Sequence, residues 1–409
     1  MGCKANHAVF KITVIVMKTN RKKIIFVNGH LKIGGIEKTL VDLLNHIDYS
    51  KYDVDLLLLE GGGEFLNQLP TSVNVIMFDN RKAFGPFLST MWSNLKRGDF
   101  CQIAYRLISL YSHLCGKEHL SLMRNVLPIK KHYDIAIAYR TGHSADIVAY
   151  AVKSVKKFVW WHNGEFNLNE KEKAETADTW SKFDRIVSVS EGCKHLLEKQ
   201  FSSLSDKMCV MYNILDAKKI STEAGSTIAE EKTKQPVKQM ITLGNLSVRK
   251  HVVNAVIATK KLVDNGYTNF HWTIVGDGPE RGNLEKMIND YSIGKYIELV
   301  GGKSNPYPYI KNSDMMVHTS YGEAHCTAIL EAMVLKVPCV VTETYIPQDF
   351  TIDGETCYMA EQNADSLYNC IVRMLNHPED TTDITEKAFE WVKRYVPERI
   401  IADFYQLVE

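Results

Sequence analysis

The sequence has no long apolar run, no paired cysteines and no excess of charge of either sign. Its longest N-terminal apolar run, residues 12–17, is too short to cross a bilayer and is followed by no small-residue cleavage site, so we expect neither a transmembrane helix nor a signal peptide. The nine cysteines form no CxxC pair and no zinc spacing, which predicts reduced thiols in a cytoplasmic protein. With 49 Lys and Arg against 48 Asp and Glu, the net charge of +1 argues against nucleic acid as a partner.

Length and periodicity predict an α/β protein with two domains. A chain of 409 residues exceeds the usual size of one domain. In both halves short apolar runs alternate with helical patterns, which predicts two Rossmann-like, doubly wound parallel sheets facing a cleft. The predicted strands are 24–27, 54–59, 73–78, 135–139, 157–161 and 185–189 in the first half, and 240–243, 272–275, 297–300, 315–318 and 337–342 in the second.

The domain boundaries follow from changes in composition. Met17 is itself a candidate start, so we expect residues 1–16 to be an extension that the domain does not need. A polar stretch without apolar periodicity separates the two halves and serves as a linker. The predicted division is 17–217 for the N-terminal domain, 218–238 for the linker, 239–384 for the C-terminal domain and 385–409 for a final helical segment that crosses back to the N-terminal domain.

An insertion at residues 81–131 interrupts the alternation of strands and helices. It is mostly helical in pattern and contains nine Lys and Arg residues, against only Asp99 and Glu118. Such an excess would attract an anionic membrane surface or a phosphorylated acceptor. A helical cap with a solvated basic face explains the same pattern equally well, and the sequence leaves both interpretations open.

Ligands of doubly wound sheets bind where strands end, and two strand-end loops carry glycines or adjacent cations. Gly34 and Gly35 lie between the first strand and a helix, where a backbone without side chains lets an anion approach. Arg249 and Lys250 end the loop after the first strand of the second half, and such a pair would hold a diphosphate and stabilise it as it leaves. A third loop, 275–279, predicts a tight turn instead of a dinucleotide fingerprint.

The fourth loop holds two glutamates eight residues apart. Glu323 is expected in the loop after a strand, and Glu331 on the helix that follows. This spacing lets one carboxylate face a sugar while the other accepts hydrogen bonds from a ribose, with backbone amides near phosphate between them.

Taken in order, these signals resemble glycosyltransferase family 4, the retaining GT-B enzymes that use nucleotide sugars. The resemblance covers nearly the whole chain, and its most specific element is Glu323-x7-Glu331 followed by Ala-Met. The other matching segments are Gly34-Gly35, Tyr133-Asp134, Trp161-His162-Asn163, 183–190, 212–214, 244–250, 275–278 and Ser313-Asp314.

The resemblance implies a role for each matching residue. The N-terminal domain would bind the acceptor and the C-terminal domain the nucleotide sugar. Glu323 would contact the hydroxyls of the transferred sugar, and His162 would reach the sugar and the acceptor, which makes these two the candidate catalytic residues. The implied donor-binding residues are Gly34 and Gly35 closing over the donor, Asn245, Arg249 and Lys250 at the diphosphate, Thr327 in the phosphate turn, and Glu331 at the ribose.

Two positions depart from the family pattern. Asn245 stands where an Arg is usual, and Ala324 where a Gly is usual. Arg249 would supply the missing cation from one turn further on; otherwise donor binding would be weak, or the protein would be a non-catalytic relative. His325 and Cys326 are also unusual in this loop, and the sequence does not explain them.

The resemblance implies a retaining hexosyltransferase of class EC 2.4, with a UDP-sugar as the commonest donor. The expected acceptor is a glycan or a lipid-linked glycan, in assembly of capsule, lipopolysaccharide or another cell-surface polysaccharide, with peripheral contact to the cytoplasmic face of the membrane through residues 81–131. We expect no metal and no cofactor, because the only Asp-x-Asp, Asp53-Val54-Asp55, begins a strand instead of ending one.

Three alternatives stay open. An oxidoreductase would need a complete Gly-x-Gly-x-x-Gly followed about 20 residues later by an acid, and neither half has both. An epimerase of the same fold would act on the nucleotide sugar without an acceptor. A non-catalytic glycosyltransferase-like binding protein would account for Asn245 and Ala324.

Overall fold

Two parallel β-sheets organise the computed structural model, which describes residues 21–164, 168–225, 237–344 and 348–409. The predicted extension 1–16 lies outside these residues. The N-terminal sheet has seven strands in the spatial order β3-β2-β1-β4-β5-β6-β7, and every neighbouring pair is parallel. Its strands are β1 Lys22–Asn28, β2 Tyr52–Leu58, β3 Asn74–Met77, β4 Tyr133–Ala138, β5 Ser154–Trp161, β6 Arg185–Ser188 and β7 Met208–Val210.

Helices cover the N-terminal sheet on both faces, which explains its apolar strands. Ile24, Ile25, Phe26 and Val27 are consecutive and all fully buried, as a strand packed on both sides requires. The helices of this domain are α1 Gly35–His46, α2 Phe87–Lys96, α3 Phe100–Cys115, α4 His143–Asp146, α5 Glu170–Ser181 and α6 Glu191–Gln200.

The C-terminal sheet has six parallel strands in the order β10-β9-β8-β11-β12-β13. Met315 and Val317 of one strand pack into a core on one face, and Met316 between them packs into a second core on the other. The strands are β8 Lys238–Leu243, β9 Phe270–Val275, β10 Ile297–Leu299, β11 Met315–His318, β12 Cys339–Thr342 and β13 Tyr358–Ala360. The helices are α7 Ala217–Glu223, α8 Val253–Asp264, α9 Arg281–Asp290, α10 Tyr307–Lys311, α11 Thr327–Val334, α12 Ala364–Asn376 and α13 Thr381–Val392.

The predicted architecture of two doubly wound parallel sheets is confirmed. Each of the eleven predicted strands overlaps an observed one. The sequence missed β7 and β13, which have three residues each and lie at sheet edges. Three residues seldom show an alternation or a sustained apolar run; β10 is equally short, but it was found because residues 297–300 alternate as Ile-Glu-Leu and end on Val.

The chain passes between the domains twice, and the two passages touch. Helix α7 begins one residue before the predicted linker 218–238, occupies its first part and packs on the C-terminal core through Ile220, while residues 226–236 lie outside the described part of the chain. The predicted terminal segment 385–409 is divided: α13 stays on the C-terminal core, and α14, Pro397–Val408, packs on the N-terminal core. At the crossing, the Leu215 amide donates to the Tyr395 carbonyl at 2.8 Å.

The insertion at 81–131 folds as the helices α2 and α3 followed by a 3-10 stretch, Lys117–Asn125. It lies beside the carboxyl edge of the N-terminal sheet, where the Tyr105 hydroxyl of α3 hydrogen-bonds the His143 ring at the start of α4. Across the described residues, we find no helix with both the length and the apolar character needed to span a membrane.

Removing the apolar contact of α14 should destabilise the N-terminal domain. Phe404 is fully buried, and its ring stacks on Phe26 at 6.3 Å between centroids. We expect Phe404→Ala to lower the free energy of unfolding by roughly 3 kcal/mol in urea titrations, because a large aromatic is lost from a packed core. Gln406→Ala, an exposed position of the same helix, is the control, and equal effects of the two substitutions would contradict this packing.

Candidate functional site

The loops that follow β8 and β11 are tied together at the point where the strand order of the C-terminal sheet reverses. The Thr319 hydroxyl donates to the Lys250 carbonyl at 2.7 Å, and the Ser320 hydroxyl donates to the Arg249 carbonyl at 3.1 Å. Such a reversal point is where doubly wound sheets bind their ligands. The chain therefore fixes two cationic residues and the loop of Glu323 at that point.

The Glu323 carboxylate is buried among cationic groups. Its Oε1 accepts from the Lys250 ammonium at 2.5 Å and contacts His318 Nε2 at 3.1 Å, and its Oε2 lies 3.8 Å from the Arg249 guanidinium. Burial alone would raise the pKa of Glu323, but Lys250, His318 and Arg249 together hold it well below its ordinary value. The carboxylate therefore stays ionised and is a weak base.

His318 is the last residue of β11 and carries charge at neutral pH. Burial opposes that charge, but the neighbouring Cys326 sulfur and the Glu323 carboxylate raise the pKa of His318 to about 9. With Lys250 and Arg249 beside the same acid, the strand-end site has an excess of positive charge. An anionic group is the ligand that this excess favours.

His318, Glu323 and Cys326 also bring three potential metal ligands within 4.8 Å of one another. The Lys250 ammonium already lies against Glu323 Oε1, and a metal cation at the same oxygen would be repelled by it. The cluster is better described as an acid with its counter-charges than as a metal centre.

The loop of Glu323 packs against the N-terminal domain. The Ser190 hydroxyl donates to the Ala324 carbonyl at 2.6 Å, and Ala324 is buried in the N-terminal core. A Cβ at Gly164 would lie 2.5 Å from the Glu323 backbone, so only glycine fits there. Gly164 thus allows the two domains to approach closely. It lies against the loop in which the family pattern has a Gly and this chain has Ala324.

The unusual His325 packs in an aromatic cage behind that loop. Its ring lies 5.6 Å from Tyr212, 5.7 Å from Phe350 and 5.1 Å from Tyr395, measured between centroids. Burial lowers the pKa of His325 to about 3, which keeps the ring neutral. His325 therefore supports the position of the loop from the side of the interdomain crossing.

Glu331 lies on α11, as the sequence predicts, and pairs with a lysine of the other domain. The Lys38 ammonium of α1 donates to Glu331 Oε1 and lies 5.2 Å from the centre of the Tyr307 ring. Burial raises the pKa of Glu331, and the carboxylate in turn raises the pKa of Lys38. This ion pair joins the two sides of the cleft at the residue that the resemblance assigns to the ribose.

The predicted glycines and His162 form the N-terminal side of the cleft. Gly34 precedes α1 and Gly35 begins it, and the space that a Cβ of Gly35 would occupy is open. His162 follows β5 directly, and its Nε2 is buried without a hydrogen-bond partner among the described residues. Burial and the nearby Arg140 charge lower the pKa of His162 to about 3, so the ring is neutral.

A pocket of about 250 Å³ opens at the strand ends of the N-terminal sheet. Arg140 lines it and lies 3.3 Å from Glu37, and His143 connects it to the insertion. The lining residues are Gly29, Ile36, Glu60, Arg140, Thr141, His143, Ser144, His162 and Asn163. Charged and polar groups predominate, which suits a ligand rich in hydroxyl groups.

The remaining predicted residues lie around the same cleft. Asn245 is exposed in the loop after β8, and Thr327 is the first residue of α11. The turn 275–279 packs against the loop after β8 so closely that a Cβ at Gly276 would lie 1.8 Å from the Gly244 carbonyl oxygen. That turn is therefore structural, as the sequence analysis predicts.

Asp53 and Asp55 lie at the opposite end of the N-terminal sheet. Asp55 accepts from the Tyr133 hydroxyl at 2.6 Å, the Lys131 ammonium at 2.9 Å and the Asn74 amide at 2.9 Å. These bonds occupy the carboxylate in tying β2 to the starts of β3 and β4.

Four residues of the cleft escaped the sequence analysis: Lys38, Arg140, His143 and His318. Arg140 and His318 lie at the carboxyl ends of β4 and β11, so a systematic reading of strand ends would have found both. Lys38 lies one turn after Gly34 on a helix, and no local signal links it to Glu331.

The charge on His318 should make stability depend on pH. Its pKa is higher in the folded protein than the usual value of about 6.5. The stabilisation is therefore complete below about pH 6.5 and is lost as the pH rises through about 9. Between pH 6 and 10, we expect the free energy of unfolding of the wild type to fall by roughly 3 kcal/mol relative to His318→Asn. Parallel pH profiles for the two proteins in urea titrations would contradict the charged state.

The comparisons with known proteins agree on one fold. The family model described as glycosyl transferases group 1 matches residues 226–391. The poly(ribitol-phosphate) alpha-N-acetylglucosaminyltransferase of Staphylococcus aureus is 24% identical over 247 residues, which cover 60% of this chain and 47% of that protein. The chain spans between 39% and 47% of the lengths of three curated relatives that it matches.

Two solved structures align with nearly the whole chain. Anabaena HepE, in complex with UDP and glucose, has a TM-score of 0.68 at 16% identity and covers 95% of this chain and 99% of its own. A variant of Staphylococcus aureus TarM, in complex with Fondaparinux, alpha-GlcNAc-glycerol and UDP, has a TM-score of 0.71 at 14% identity and covers 95% and 100%. At these identities the likeness shows the fold: the chain has the GT-B arrangement of two Rossmann-like domains around a cleft.

Proposed function

We propose that this protein is a glycosyltransferase that moves a hexose-type sugar from a nucleoside-diphosphate sugar, a UDP-sugar, to a glycan or lipid-linked acceptor. Configuration is retained at the anomeric carbon, and no metal is required. The acceptor belongs to a cell-surface polysaccharide, a capsule or a lipopolysaccharide, assembled at the cytoplasmic face of the membrane.

The cationic strand-end site of the C-terminal domain carries this proposal. Lys250, Arg249 and His318 surround one carboxylate where ligands of this fold bind, and their excess charge suits a diphosphate. Arg249 lies beside Glu323 and thus supplies the cation that Asn245 does not. That placement favours donor binding over the non-catalytic alternative.

The relatives agree with a UDP-sugar donor. HepE and TarM were solved with UDP, and the Staphylococcus aureus relative is by name an N-acetylglucosaminyltransferase. The model of group 1 glycosyl transferases matches the segment that contains β8, β11 and both glutamates. We extend to this chain the nucleotide and the hexose class that these names share.

Donor binding would use the two cationic contacts of the site differently. Lys250 keeps Glu323 ionised and, with three N–H groups, has donors left for a phosphate oxygen. Arg249 donates to the Gly322 carbonyl and can place its other N–H groups on the diphosphate. At Glu331, the ribose hydroxyls would donate to the carboxylate that now accepts from Lys38. When the two domains close over a donor, Glu331 would therefore exchange its bond from Lys38 for hydrogen bonds from the ribose.

The reaction would proceed on one face of the donor sugar. The bond from the anomeric carbon to the diphosphate oxygen breaks, the acceptor oxygen bonds to that carbon from the same side, and its proton passes to the departing phosphate. Glu323 is too weak a base to take the proton, and neutral His162 is placed to hold a sugar or acceptor hydroxyl through its free Nε2. Lys250 and Arg249 stabilise the developing charge, the part that a metal ion plays elsewhere.

An epimerase of the same fold is the second candidate. It would share the diphosphate site but would need no acceptor. The pocket beside His162, which is rich in polar groups and belongs to the domain opposite the donor site, favours transfer.

Binding measurements with nucleotides and with pyrophosphate should distinguish the diphosphate contact at Lys250 from the ribose contact at Glu331. With EDTA present, calorimetric titration should give UDP the highest affinity among UDP, GDP, ADP, CDP and NAD. Lys250→Ala should weaken both UDP and inorganic pyrophosphate by about 10- to 100-fold, because a charged hydrogen bond is lost. Glu331→Ala should weaken UDP and leave pyrophosphate unchanged.

Lys286→Ala, at an exposed position of the same domain, is the control and should bind UDP normally. Binding of NAD alone, or of no diphosphate, would contradict the proposed donor class.

Slow hydrolysis of the donor should reveal the stereochemistry without a known acceptor. With UDP-α-glucose or UDP-α-GlcNAc and EDTA, we expect proton NMR to detect the α-anomer of the free sugar first, before mutarotation. Glu323→Gln should slow the reaction by at least 100-fold, because the contact to the transferred sugar changes. A β-anomer formed first would exclude retention, and an epimerised sugar nucleotide would favour the epimerase.

A further inference from the structure

Helix α3 has its polar and apolar faces reversed. Gln102, Tyr105 and Ser112 face the protein. The opposite side carries large apolar residues at spacings of three and four, which form one stripe along the helix. The exposed members of this face are Phe100, Leu107, Leu110, Tyr111 and Leu114, with Phe100 67% and Leu114 73% exposed.

Helix α2 extends the same surface. Phe87, Leu88, Trp92 and Leu95 are exposed, while Asn94 is buried and donates to the Lys82 carbonyl. Of the 16 large hydrophobic residues that are exposed among the described residues, 11 lie between Phe84 and Leu122. Scattered apolar residues are normal on a surface, but such a concentration marks a contact site. We call this surface, formed by α2 and α3, the hairpin face.

The exposed charges beside α2 are positive, and the exposed acid Glu118 follows the end of α3. Lys82, Lys96 and Arg97 are exposed, and the Lys96 ammonium lies 5.3 Å from the centre of the Trp92 ring. The acid Asp99 is occupied, since it accepts from the Gln102 amide at the start of α3. An apolar stripe bordered by lysines and arginines is the pattern of a surface that inserts between anionic lipid headgroups. A second copy of the chain would bring the same cations face to face.

Some cations of the insertion are already bonded within the protein, and others are exposed without an acidic partner among the described residues. Arg106 donates to the Ala83 and Gly85 carbonyls, and Arg124 donates to the Tyr150 and Ala151 carbonyls. Lys117 and Lys131 are paired with aspartates. Arg81 is likewise paired with Asp79, and the exposed Lys130 follows the 3-10 stretch, so Lys82, Lys96 and Arg97 are the unpaired cations beside α2 that are available to a membrane.

The hairpin face is connected to the pocket of the N-terminal domain. Tyr105, on the buried side of α3, hydrogen-bonds His143, which lines that pocket. One turn earlier on the same side of α3, the Gln102 side chain donates to the Asp79 carbonyl, which is a second attachment of the helix to the segment after β3. A surface held by α2 and α3 therefore lies next to the site proposed for the acceptor.

We propose that the hairpin face docks this protein on an anionic lipid bilayer. The apolar stripe enters the headgroup region, and Lys82, Lys96 and Arg97 contact lipid phosphates. This inference about the acceptor rests on the proposed function and narrows it. A pocket held at the bilayer surface takes its acceptor from the lipid. The acceptor class is then a lipid-linked glycan.

Vesicle flotation of the full chain tests the docking without any enzymatic readout. We expect the wild type to float with phosphatidylcholine vesicles that contain 30 mol% phosphatidylglycerol and to remain unbound with pure phosphatidylcholine. Lys82→Gln/Lys96→Gln/Arg97→Gln should lower the partition coefficient about 100-fold, since each cation near the surface contributes about 1 kcal/mol. Leu107→Gln/Leu114→Gln should lower it at least tenfold.

Matched substitutions elsewhere on the surface serve as controls. Val155→Gln/Tyr291→Gln removes two other exposed apolar side chains, and Lys199→Gln/Lys286→Gln/Lys311→Gln removes three other cations. Both control proteins should float as the wild type does. Unchanged UDP binding by every variant would show that the fold and the donor site are intact, so a failure of docking is distinguishable from a failure of the proposed function.

Two results would overturn the docking: no flotation on anionic vesicles, with or without a concentration-dependent dimer, or equal flotation of the wild type and the two hairpin variants. If the dimer is also lost in Leu107→Gln/Leu114→Gln by light scattering, the hairpin face binds a second copy of the chain instead.

Discussion

A carboxylate buried between two domains needs cations beside it, and Glu323 imposes that condition on the whole cleft. Lys250 and Arg249 meet it from the loop after β8, and His318 meets it from the end of β11. The loop that carries this acid also packs against Gly164 of the other domain. The same loop therefore sets both the charge balance at the strand ends and the contact between the domains. A substitution at any of these positions would disturb both.

The sequence predicts much of the fold because its strands are buried on both faces. Runs such as 24–27 and 315–317 are apolar without alternation, and the order of strands and helices then fixes which loops share an edge. The positions of Glu323 in a loop and Glu331 on a helix follow from that order alone. Both placements were thus accessible before any coordinates.

The contacts across the cleft were not accessible in this way. Lys38 and Glu331 are 293 residues apart, and their pairing depends on how two separately folded domains face each other. His318 ends an apolar strand, so its place at the site could be read from the sequence, but its contact with Glu323 could not. For α3, periodicity gives an apolar stripe but cannot say which side faces water, and the natural assumption that the stripe is buried is wrong here.

The two passages of the chain between the domains act as a paired hinge. One runs through Leu215 and the other through Tyr395, and a backbone hydrogen bond holds them side by side. A single connection would let the domains rotate about any axis, whereas two joined connections resist torsion and bend mainly in one direction. Opening of the cleft would therefore keep the two domains aligned, so that closing would bring Lys38 back to Glu331. A cut in either passage would leave the domains attached but free to twist.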